Sequence, residues 1–226
     1  MTHAGVIEEV AVVAAVVIAK ECVPGRVKTR LNPPLSLEQA AEVAAASLAD
    51  TVDVITSLPF TRRILAYAGE NAPVSADWEV LPQTTGTLDL RLGDVFDAVG
   101  EPMVLIGMDT PQVSARHLVP LLRGWPDDAD SVFGPALDGG FWALGMREPD
   151  GDLIRGVPMS QDFTGRAQLA RLRAAGHRVR MLPELDDVDT VDDALRIAAE
   201  APRTRFAAAL RGALGEIGTV EIPVTA

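Results

Sequence analysis

Apolar runs of strand length alternate with segments of helical length along most of this chain. Several of the runs are continuously apolar, as strands covered on both faces of a sheet are expected to be. The strand candidates are residues 10–19, 63–68, 78–81, 103–108, 130–133, 141–146 and 178–182. This alternation predicts an α/β fold with a mainly parallel, mixed sheet flanked by helices on both faces.

Helix start signals lie between the predicted strands. Ser36 and Gln39 fit a capping box that opens an Ala-rich helix to about Val54. Ser114 caps a predicted helix to about residue 123, and Thr190 caps one to about residue 201. Residues 163–175 and 203–214 are further helical segments, the second packing on the outside. The sequence contains no repeat and no linker, which predicts one domain over residues 1–226.

The chain is acidic, with 32 Asp and Glu against 20 Lys and Arg and a formal net charge of -12. Proteins that bind nucleic acid or anionic membranes need a basic face, so neither partner is expected. The single Cys22 cannot form an internal disulfide. The apolar run 10–19 is too short to span a bilayer and follows two Glu residues instead of a basic region. We therefore expect a cytoplasmic protein without membrane insertion.

The densest basic segment follows the first predicted strand, where open α/β sheets bind their ligands. Its cations surround Pro24-Gly25 and are Lys20, Arg26, Lys28 and Arg30. Such cations and free loop amides can bind a diphosphate. The segment is no P-loop, because Gly25 lies three residues before Lys28. A solvated surface turn is the alternative interpretation.

Carboxylates follow two other predicted strands at the same edge. Asp109 ends the 103–108 strand and is placed either to bind a divalent cation or to cap a turn. Asp186, Asp187 and Asp189 precede a helix, whose dipole favours negative charge there. Three acids in four positions also repel one another, and a metal ion would relieve that repulsion.

Two further loops reach this edge. Asp138, Gly139, Gly140 and Phe141 form either a hairpin turn or a place where a ligand approaches the backbone closely. Residues 83–88 form a polar loop that could hydrogen-bond a base or ribose, or be an ordinary loop. His117 lies inside a predicted helix and is given no role.

Four motifs in order carry a family resemblance over roughly residues 10–200. They are Ala19-Lys20 with PGRVKTRL at 24–31, Gly107-x-Asp109-x-Pro111, Gly134-Pro135-x-x-Asp138-Gly139-Gly140-Phe141, and Asp187-Val188-Asp189-Thr190. The set resembles a bacterial family of GT-A-like proteins described as nucleotide-diphospho-sugar transferases.

The resemblance implies a Rossmann-like GT-A domain that binds a nucleotide or nucleotide-sugar and a small-molecule acceptor with Mg²⁺ or Mn²⁺. It implies phosphate binding by Lys20, Gly25, Arg26, Lys28 and Arg30, with Lys28 and Asp109 catalytic. It places Gln83 and Gly86 by the nucleobase, and Asp138, Gly139, Gly140 and Phe141 in the acceptor or sugar pocket. It assigns the metal to Asp109, Asp187 and Asp189.

Two transferase reactions suit these residues. The favoured one moves a glycosyl group from a nucleotide sugar to a small acceptor. The alternative couples a nucleoside triphosphate to a phosphorylated small molecule with release of pyrophosphate. The stretch Lys28 to Leu31 is similar to one in the guanylyltransferases that activate phospholactate for a deazaflavin cofactor, while the Asp-x-Asp common in glycosyltransferases is absent around Asp109.

Two differences from the family pattern leave a third hypothesis open, namely that the protein is a nucleotide-binding module without catalytic turnover. Met159 stands where the family usually has Trp, which affects the acceptor pocket, and Val191 replaces a Pro that starts the last helix. Asp187 and Asp189 also resemble the motif of haloacid-dehalogenase-type phosphatases. That motif follows an early strand, so its late position here disfavours a phosphatase.

Overall fold

The computed structural model describes residues 13–217, whose strands form a seven-stranded sheet. In chain order, β1 to β7 are Ala14–Lys20, Arg62–Ala68, Glu79–Pro82, Met103–Gly107, Ser131–Pro135, Phe141–Met146 and Val179–Met181. Their order across the sheet is β3-β2-β1-β4-β6-β5-β7. Only β6 runs antiparallel to its neighbours, β4 and β5, among these strands. The predicted α/β class with a mainly parallel, mixed sheet is confirmed.

The predicted strands lie where the structure has strands, with ends that differ by a few residues. β6 has the predicted bounds, β1 begins four residues later than predicted and ends one residue later, and the other strands differ by at most two residues at either end. Residues 10–12 of the first predicted strand lie outside the described part of the chain. Strand position could be predicted well because central strands are continuously apolar.

Six α-helices accompany the strands in the described part. In chain order, α1 to α6 are Leu37–Ser57, Leu88–Val99, Ala115–Leu118, Thr164–Ala174, Val191–Glu200 and Arg205–Ile217. The sequence analysis missed α2 and assigned its first residue to a loop. It also made α3 too long, because Pro120 interrupts the α-helical pattern and a 3₁₀ turn follows at Val119–Leu121. No described helix is both long enough and apolar enough to cross a membrane.

Two of the predicted caps have the expected geometry. Ser36 Oγ accepts a hydrogen bond from Gln39 N at 3.1 Å, and Gln39 Oε1 accepts one from Ser36 N at 2.9 Å. Thr190 and Asp193 form the same reciprocal arrangement at the start of α5. Each pair satisfies backbone donors that the first helical turn would otherwise leave unbonded.

The sheet is covered on both faces. Along β1, Val17 packs with α1 on one face and Val16 packs with α2 and α4 on the other, as alternating strand residues must. Helix α6 packs outside α1, where Phe206 and Leu210 contact Val43 of α1 in a third apolar cluster. The outer position predicted for the last helix is confirmed.

A buried carboxylate joins α6 to α1. Asp50 of α1 accepts hydrogen bonds from Arg205 N at 2.9 Å and from Phe206 N at 2.8 Å. These two amides belong to the first turn of α6 and have no helical partner. Asp50 is only 8% exposed, so its loss would leave both backbone donors buried without a hydrogen-bond partner.

We predict that Asp50→Ala lowers the free energy of unfolding by about 2 kcal/mol or more, because buried hydrogen bonds to a charged group are lost. The matched control is Asp53→Ala, one turn along α1. Its carboxylate lies 2.6 Å from Arg205 in an exposed ion pair. That change should cost less than about 1 kcal/mol. Equal losses in urea denaturation would contradict this account of how α6 is held.

Candidate nucleotide-binding site

A cavity of about 340 Å³ opens at the carboxyl edge of β1 and β4. Because β6 is antiparallel to β4, its first residue lies at this edge as well. The predicted site residues that line the cavity are Lys20, Gln83, Asp109, Asp138, Gly140, Phe141 and Asp187. The structure therefore brings together residues from four separate sequence motifs.

A smaller hollow of about 200 Å³ adjoins this cavity. It is lined by Lys28, Arg30 and Asp189, and it shares Lys20 and Asp109 with the cavity. The cations of the basic segment thus face the carboxylates of the Asp109 and Asp187–Asp189 segments. We call this hollow the cationic pocket.

Four predicted site residues line neither space. They are Gly25, Arg26, Gly86 and Gly139. Gly25 has a φ of 77° and forms part of a turn closed by a 2.9 Å hydrogen bond from Arg26 N to Val23 O. Arg26 also contributes its carbonyl oxygen, which accepts a hydrogen bond from Lys20 Nζ at 2.9 Å. In the structure as described, Gly25 and Arg26 thus shape the loop, and their contact with a phosphate stays a prediction.

Lys28 joins the basic segment to both acidic segments. Its Nζ lies 2.9 Å from Asp109 Oδ1 and 3.6 Å from Asp189 Oδ1, and it donates a hydrogen bond to Val188 O. The Lys28 side chain is 8% exposed, whereas both carboxylates are about 40% exposed. Its ammonium group is therefore held in a fixed place with compensating charge around it.

The backbone of Lys28 is strained. Its φ of 45° and ψ of 37° lie in the left-handed region, which costs a non-glycine residue about 1–2 kcal/mol. Such strain persists where the surrounding contacts over-determine the conformation. Here Leu31, fully buried three residues later, anchors the same segment against α5 and α6. The left-handed turn is what carries the Lys28 side chain back towards Asp109.

Asp187 has the most perturbed carboxyl group of the site. Its pKa is raised to about 7, chiefly by burial and then by the negative charges of Asp109 and Asp138, against the opposing effect of Lys28. A carboxyl group with this pKa exchanges its proton near neutral pH. Strong perturbation of this kind is typical of functional clefts.

The carboxylates have the chemistry that a divalent cation prefers, but they are not gathered as ligands. Oxygen donors suit Mg²⁺ and Mn²⁺. Within residues 13–217, no group of three or more potential ligands stands at metal-binding distance. The Lys28 ammonium lies between Asp109 and Asp189. The metal site at Asp109, Asp187 and Asp189 therefore stays a prediction, and it requires these side chains to reorient.

Asp186 belongs to a different, structural set of contacts. Its carboxylate accepts a 2.7 Å hydrogen bond from Arg196 Nε, and its carbonyl oxygen accepts one from Gln112 Nε2 at 2.6 Å. Arg196 also contacts Asp193 at 2.6 Å on the same helix. The ion pair with Arg196 therefore accounts for Asp186, and a different explanation is needed for Asp187 and Asp189.

The side-chain amide of Gln83 forms its hydrogen bonds within the protein. Its Nε2 donates to Ala19 O at 2.7 Å and to Ala66 O at 2.8 Å, which ties the ends of β1 and β2 together. Its Oε1 accepts a 2.9 Å hydrogen bond from Arg91 Nη1. Both amide donors are used, so base recognition by Gln83, which stays a prediction, would rest on its remaining acceptor capacity.

Arg91 lines the cavity and was missed because α2 was missed. The sequence does contain the signals for this helix. Thr87 is its N-cap and Gly100, with a φ of 68°, is its C-cap. Apolar residues at helical spacing face the core between them, namely Leu92, Val95, Phe96 and Val99. This period predicts the helix and its buried face, and the tertiary structure then places Arg91 at the cavity.

The glycine pair of the Asp138 loop has a structural reason. A Cβ on Gly139 would lie 1.9 Å from Asp162 O, and one on Gly165 would lie 2.3 Å from Gly140 O. The backbone of this loop thus packs directly on the start of α4, where Gly165 N donates to Gly139 O at 2.8 Å. Asp138 Oδ1 accepts a 2.7 Å hydrogen bond from Gly140 N and still lines the cavity.

The segment before α4 completes the cavity wall. Met159, Ser160, Gln161 and Thr164 line it. Thr164 Oγ1 donates to Pro158 O at 2.8 Å and accepts from Gln161 N at 3.0 Å, which fixes the segment. His117, in contrast, is buried beside Trp142 with its Nδ1 accepting from Ser114 N at 3.1 Å. A packing role explains His117 fully.

Comparisons with known proteins agree with this architecture. Residues 43–161 match the family model described as "Uncharacterized protein conserved in bacteria (DUF2064)", and the chain belongs to this family. It is also 32% identical, over 125 residues, to a 2-phospho-L-lactate guanylyltransferase of Haloarcula marismortui. That match covers 54% of this chain and 57% of the relative, so the chain spans little more than half of the relative's length.

Solved structures show the same fold. A protein of Desulfovibrio desulfuricans G20, described as a nucleotide-diphospho-sugar transferase, has a TM-score of 0.77 at 23% identity, covering 92% of this chain and 97% of its own. The CMP:2-keto-3-deoxy-manno-octonic acid synthetase complexed with CTP has a TM-score of 0.54 at 13% identity, covering 85% and 99%. The expected GT-A-like family resemblance is confirmed at the level of the fold.

We predict that Gly139→Ala destabilises the protein far more than Gly176→Ala does. Both residues have a φ close to 90°, so the backbone cost of about 1 kcal/mol is shared. A Cβ at Gly176 meets nothing within 4 Å, whereas at Gly139 it collides with backbone. The clash should add about 2 kcal/mol or more. Matching losses in urea denaturation would contradict the close packing of this loop on α4.

We predict that Asp187→Asn stabilises the protein relative to the wild type, and increasingly so as pH rises towards 7. The folded-state pKa of Asp187 is about 7, above its ordinary value of 3.8. The unfolded chain releases this proton first, so the contribution of Asp187 to the free energy of unfolding falls as pH rises from about 4 to 7. The stability advantage of the variant should grow over that window. Parallel stability curves in urea with EDTA would contradict the assigned pKa.

Proposed function

We propose that this protein is a nucleotidyltransferase that couples a nucleoside triphosphate to a phosphorylated small molecule and releases pyrophosphate. The observation that carries the proposal is the contact of Lys28 with Asp109 and Asp189 at the carboxyl edge of the sheet. It sets a cationic loop against carboxylates, the arrangement that a metal-bound polyphosphate needs. The guanylyltransferase relative supports this reaction better than the glycosyl transfer that the sequence analysis favoured.

The chemistry is an in-line displacement at the α-phosphorus. A phosphate oxygen of the acceptor forms the new P–O bond, and the bond between the α-phosphorus and the α,β-bridging oxygen breaks, so that pyrophosphate leaves with its electron pair. Negative charge develops on the departing group, and fixed cations stabilise it. Mg²⁺ or Mn²⁺ held by Asp109, Asp187 and Asp189 would neutralise phosphate oxygens in the same place.

The cations of the cationic pocket differ in how free they are. Arg30 is 74% exposed, with one contact at 3.3 Å to Asp189, and can turn towards a phosphate with little loss. Lys28 is nearly buried and already paired. We therefore assign capture of the outer phosphates to Lys20 and Arg30, and stabilisation of charge beside the reacting phosphorus to Lys28.

Glycosyl transfer from a nucleotide sugar is the second candidate. Its support is the polar turn of Asp138 to Phe141 facing the wall that contains Met159, a space suited to a sugar or a small acceptor. The product distinguishes the two reactions, because glycosyl transfer releases a nucleoside diphosphate and no pyrophosphate. Binding without either product would favour a module that has lost turnover.

The acid excess of 32 to 20 disfavours nucleic acid as a partner, so the expected ligands are small anions caught by the local basic segment. We propose that residues 1–226 act as one domain in the cytoplasm.

We predict that the wild type releases pyrophosphate from a nucleoside triphosphate with Mg²⁺ and 2-phospho-L-lactate or a related phosphorylated hydroxy acid. Lys28→Met should lower kcat about 100-fold, because a fixed cation at the developing charge is lost. The control is Arg166→Met, an exposed residue of α4, which should keep full activity. A coupled pyrophosphate assay measures both.

Three results would count against the proposal. Release of a nucleoside diphosphate from nucleotide sugars, without pyrophosphate from any triphosphate, would replace it by glycosyl transfer. Tight nucleotide binding with neither product would replace it by a binding module. Full activity of Lys28→Met would remove the role of the cation that carries the proposal.

A further inference from the structure

Arg91 presents a positively charged group to the cavity. It lies in the first turns of α2, between Leu88 and Leu92, which line the same wall. Within residues 13–217 it has no carboxylate within ion-pair distance, in contrast to Arg155 of the same region, which contacts Asp94, Asp97 and Asp152. A cation without a counter-ion on a cavity wall is available to a ligand.

The position of Arg91 is set by Gln83. The amide of Gln83 is fixed by its two bonds to the ends of β1 and β2, and its oxygen accepts from Arg91 Nη1. A chain of hydrogen bonds therefore runs from the central sheet to the guanidinium group. Gln83 acts as a clamp, and the donors that remain free to meet a ligand belong to Arg91.

The Arg91 side chain can only donate hydrogen bonds. A guanidinium group carries five N–H donors in a fixed plane and accepts nothing. Its Nε is buried and has no hydrogen-bond partner among the described residues. A ligand in the cavity cannot reach this buried atom, so the donors available to a ligand are those of the terminal nitrogens Nη1 and Nη2. The ligand that fits must therefore offer acceptors, and preferably two side by side.

We propose that Arg91 is the residue that selects guanine as the base of the nucleotide, an inference that rests on the proposed nucleotidyl transfer. Guanine offers two adjacent acceptors, O6 and N7, which is the pattern that Arg recognises in pairs. Adenine puts an amino group where guanine has O6, so a donor-only group meets a donor. The wall around Arg91 is apolar, formed by Ile18, Leu88, Leu92 and Leu105, and suits the faces of a purine ring.

The position of Arg91 favours the base of the nucleotide over its phosphates. The cations assigned to phosphates lie around the cationic pocket, which Arg91 does not line. A nucleotide holds its base and its phosphates at opposite ends of the ribose, so separate groups must bind them.

The first experiment uses the wild type and analogues of the base. Calorimetric titration with Mn²⁺ compares GTP, inosine triphosphate, 7-deaza-GTP, ATP and CTP. Inosine triphosphate keeps O6 and N7 and should bind within a few-fold of GTP. 7-Deaza-GTP lacks N7, ATP lacks O6, and CTP offers neither atom. Each should bind about tenfold more weakly or worse, the usual discrimination of a bidentate contact.

The second experiment removes the donors. Arg91→Met keeps the length of the side chain, and it should lower GTP affinity about tenfold or more while leaving ATP affinity unchanged. The exposed Arg166→Met serves as the matched control and should keep the preference for GTP. A merely structural role of Arg91 would lower the affinities for GTP and ATP alike.

Failure of this inference and of the proposed function are distinguishable. Equal affinity for GTP and 7-deaza-GTP, or a preference for CTP or ATP, overturns guanine selection and leaves nucleotide binding in place. A uniform loss for all triphosphates in Arg91→Met turns Arg91 into a phosphate-binding or structural residue. Absence of binding by every triphosphate overturns the proposed function itself, and the inference with it.

Discussion

The contact of the Lys28 ammonium with Asp109 and Asp189 is the interaction on which the site depends. It joins three segments that are far apart in sequence, since Lys28 and its hydrogen-bond partner Val188 lie 160 residues apart. Four acids converge here, and without a central cation their repulsion would favour protonation or separation. Burial is the largest cause of the raised pKa of Asp187, and the charges of Asp109 and Asp138 add to it although Lys28 opposes them.

This contact also reconciles an acidic chain with the proposed anionic ligand. The net charge of -12 is spread over the chain, whereas Lys20, Lys28 and Arg30 are concentrated at one edge of the sheet. At short range a few fixed charges outweigh a distant, screened excess. A metal ion entering with a polyphosphate would take over the role of Lys28 towards the carboxylates, and would free its ammonium for the phosphates.

Two residues predicted to touch a ligand also connect parts of the protein, and their contact with a ligand stays a prediction. Gly139 has no side chain because Asp162 O lies where its Cβ would be. Gln83 ties β1 to β2 and orients Arg91. In each case the sequence pattern was interpreted correctly as a close approach or a polar contact. What it could not reveal was the partner, because protein backbone and ligand demand the same residue types.

The sequence by itself determined the strands, the capped starts of α1 and α5 and the sites where charged loops leave the sheet. These features follow from local periodicity and from side-chain bonds within one helical turn. It also contains the signals for α2 in Thr87 and Gly100. Only the tertiary structure decided that β6 runs antiparallel between β4 and β5, that Lys28 lies between two carboxylates and that Arg91 faces the cavity. The physical reason is that pairing over such separations depends on strand order and helix packing, which no local pattern encodes.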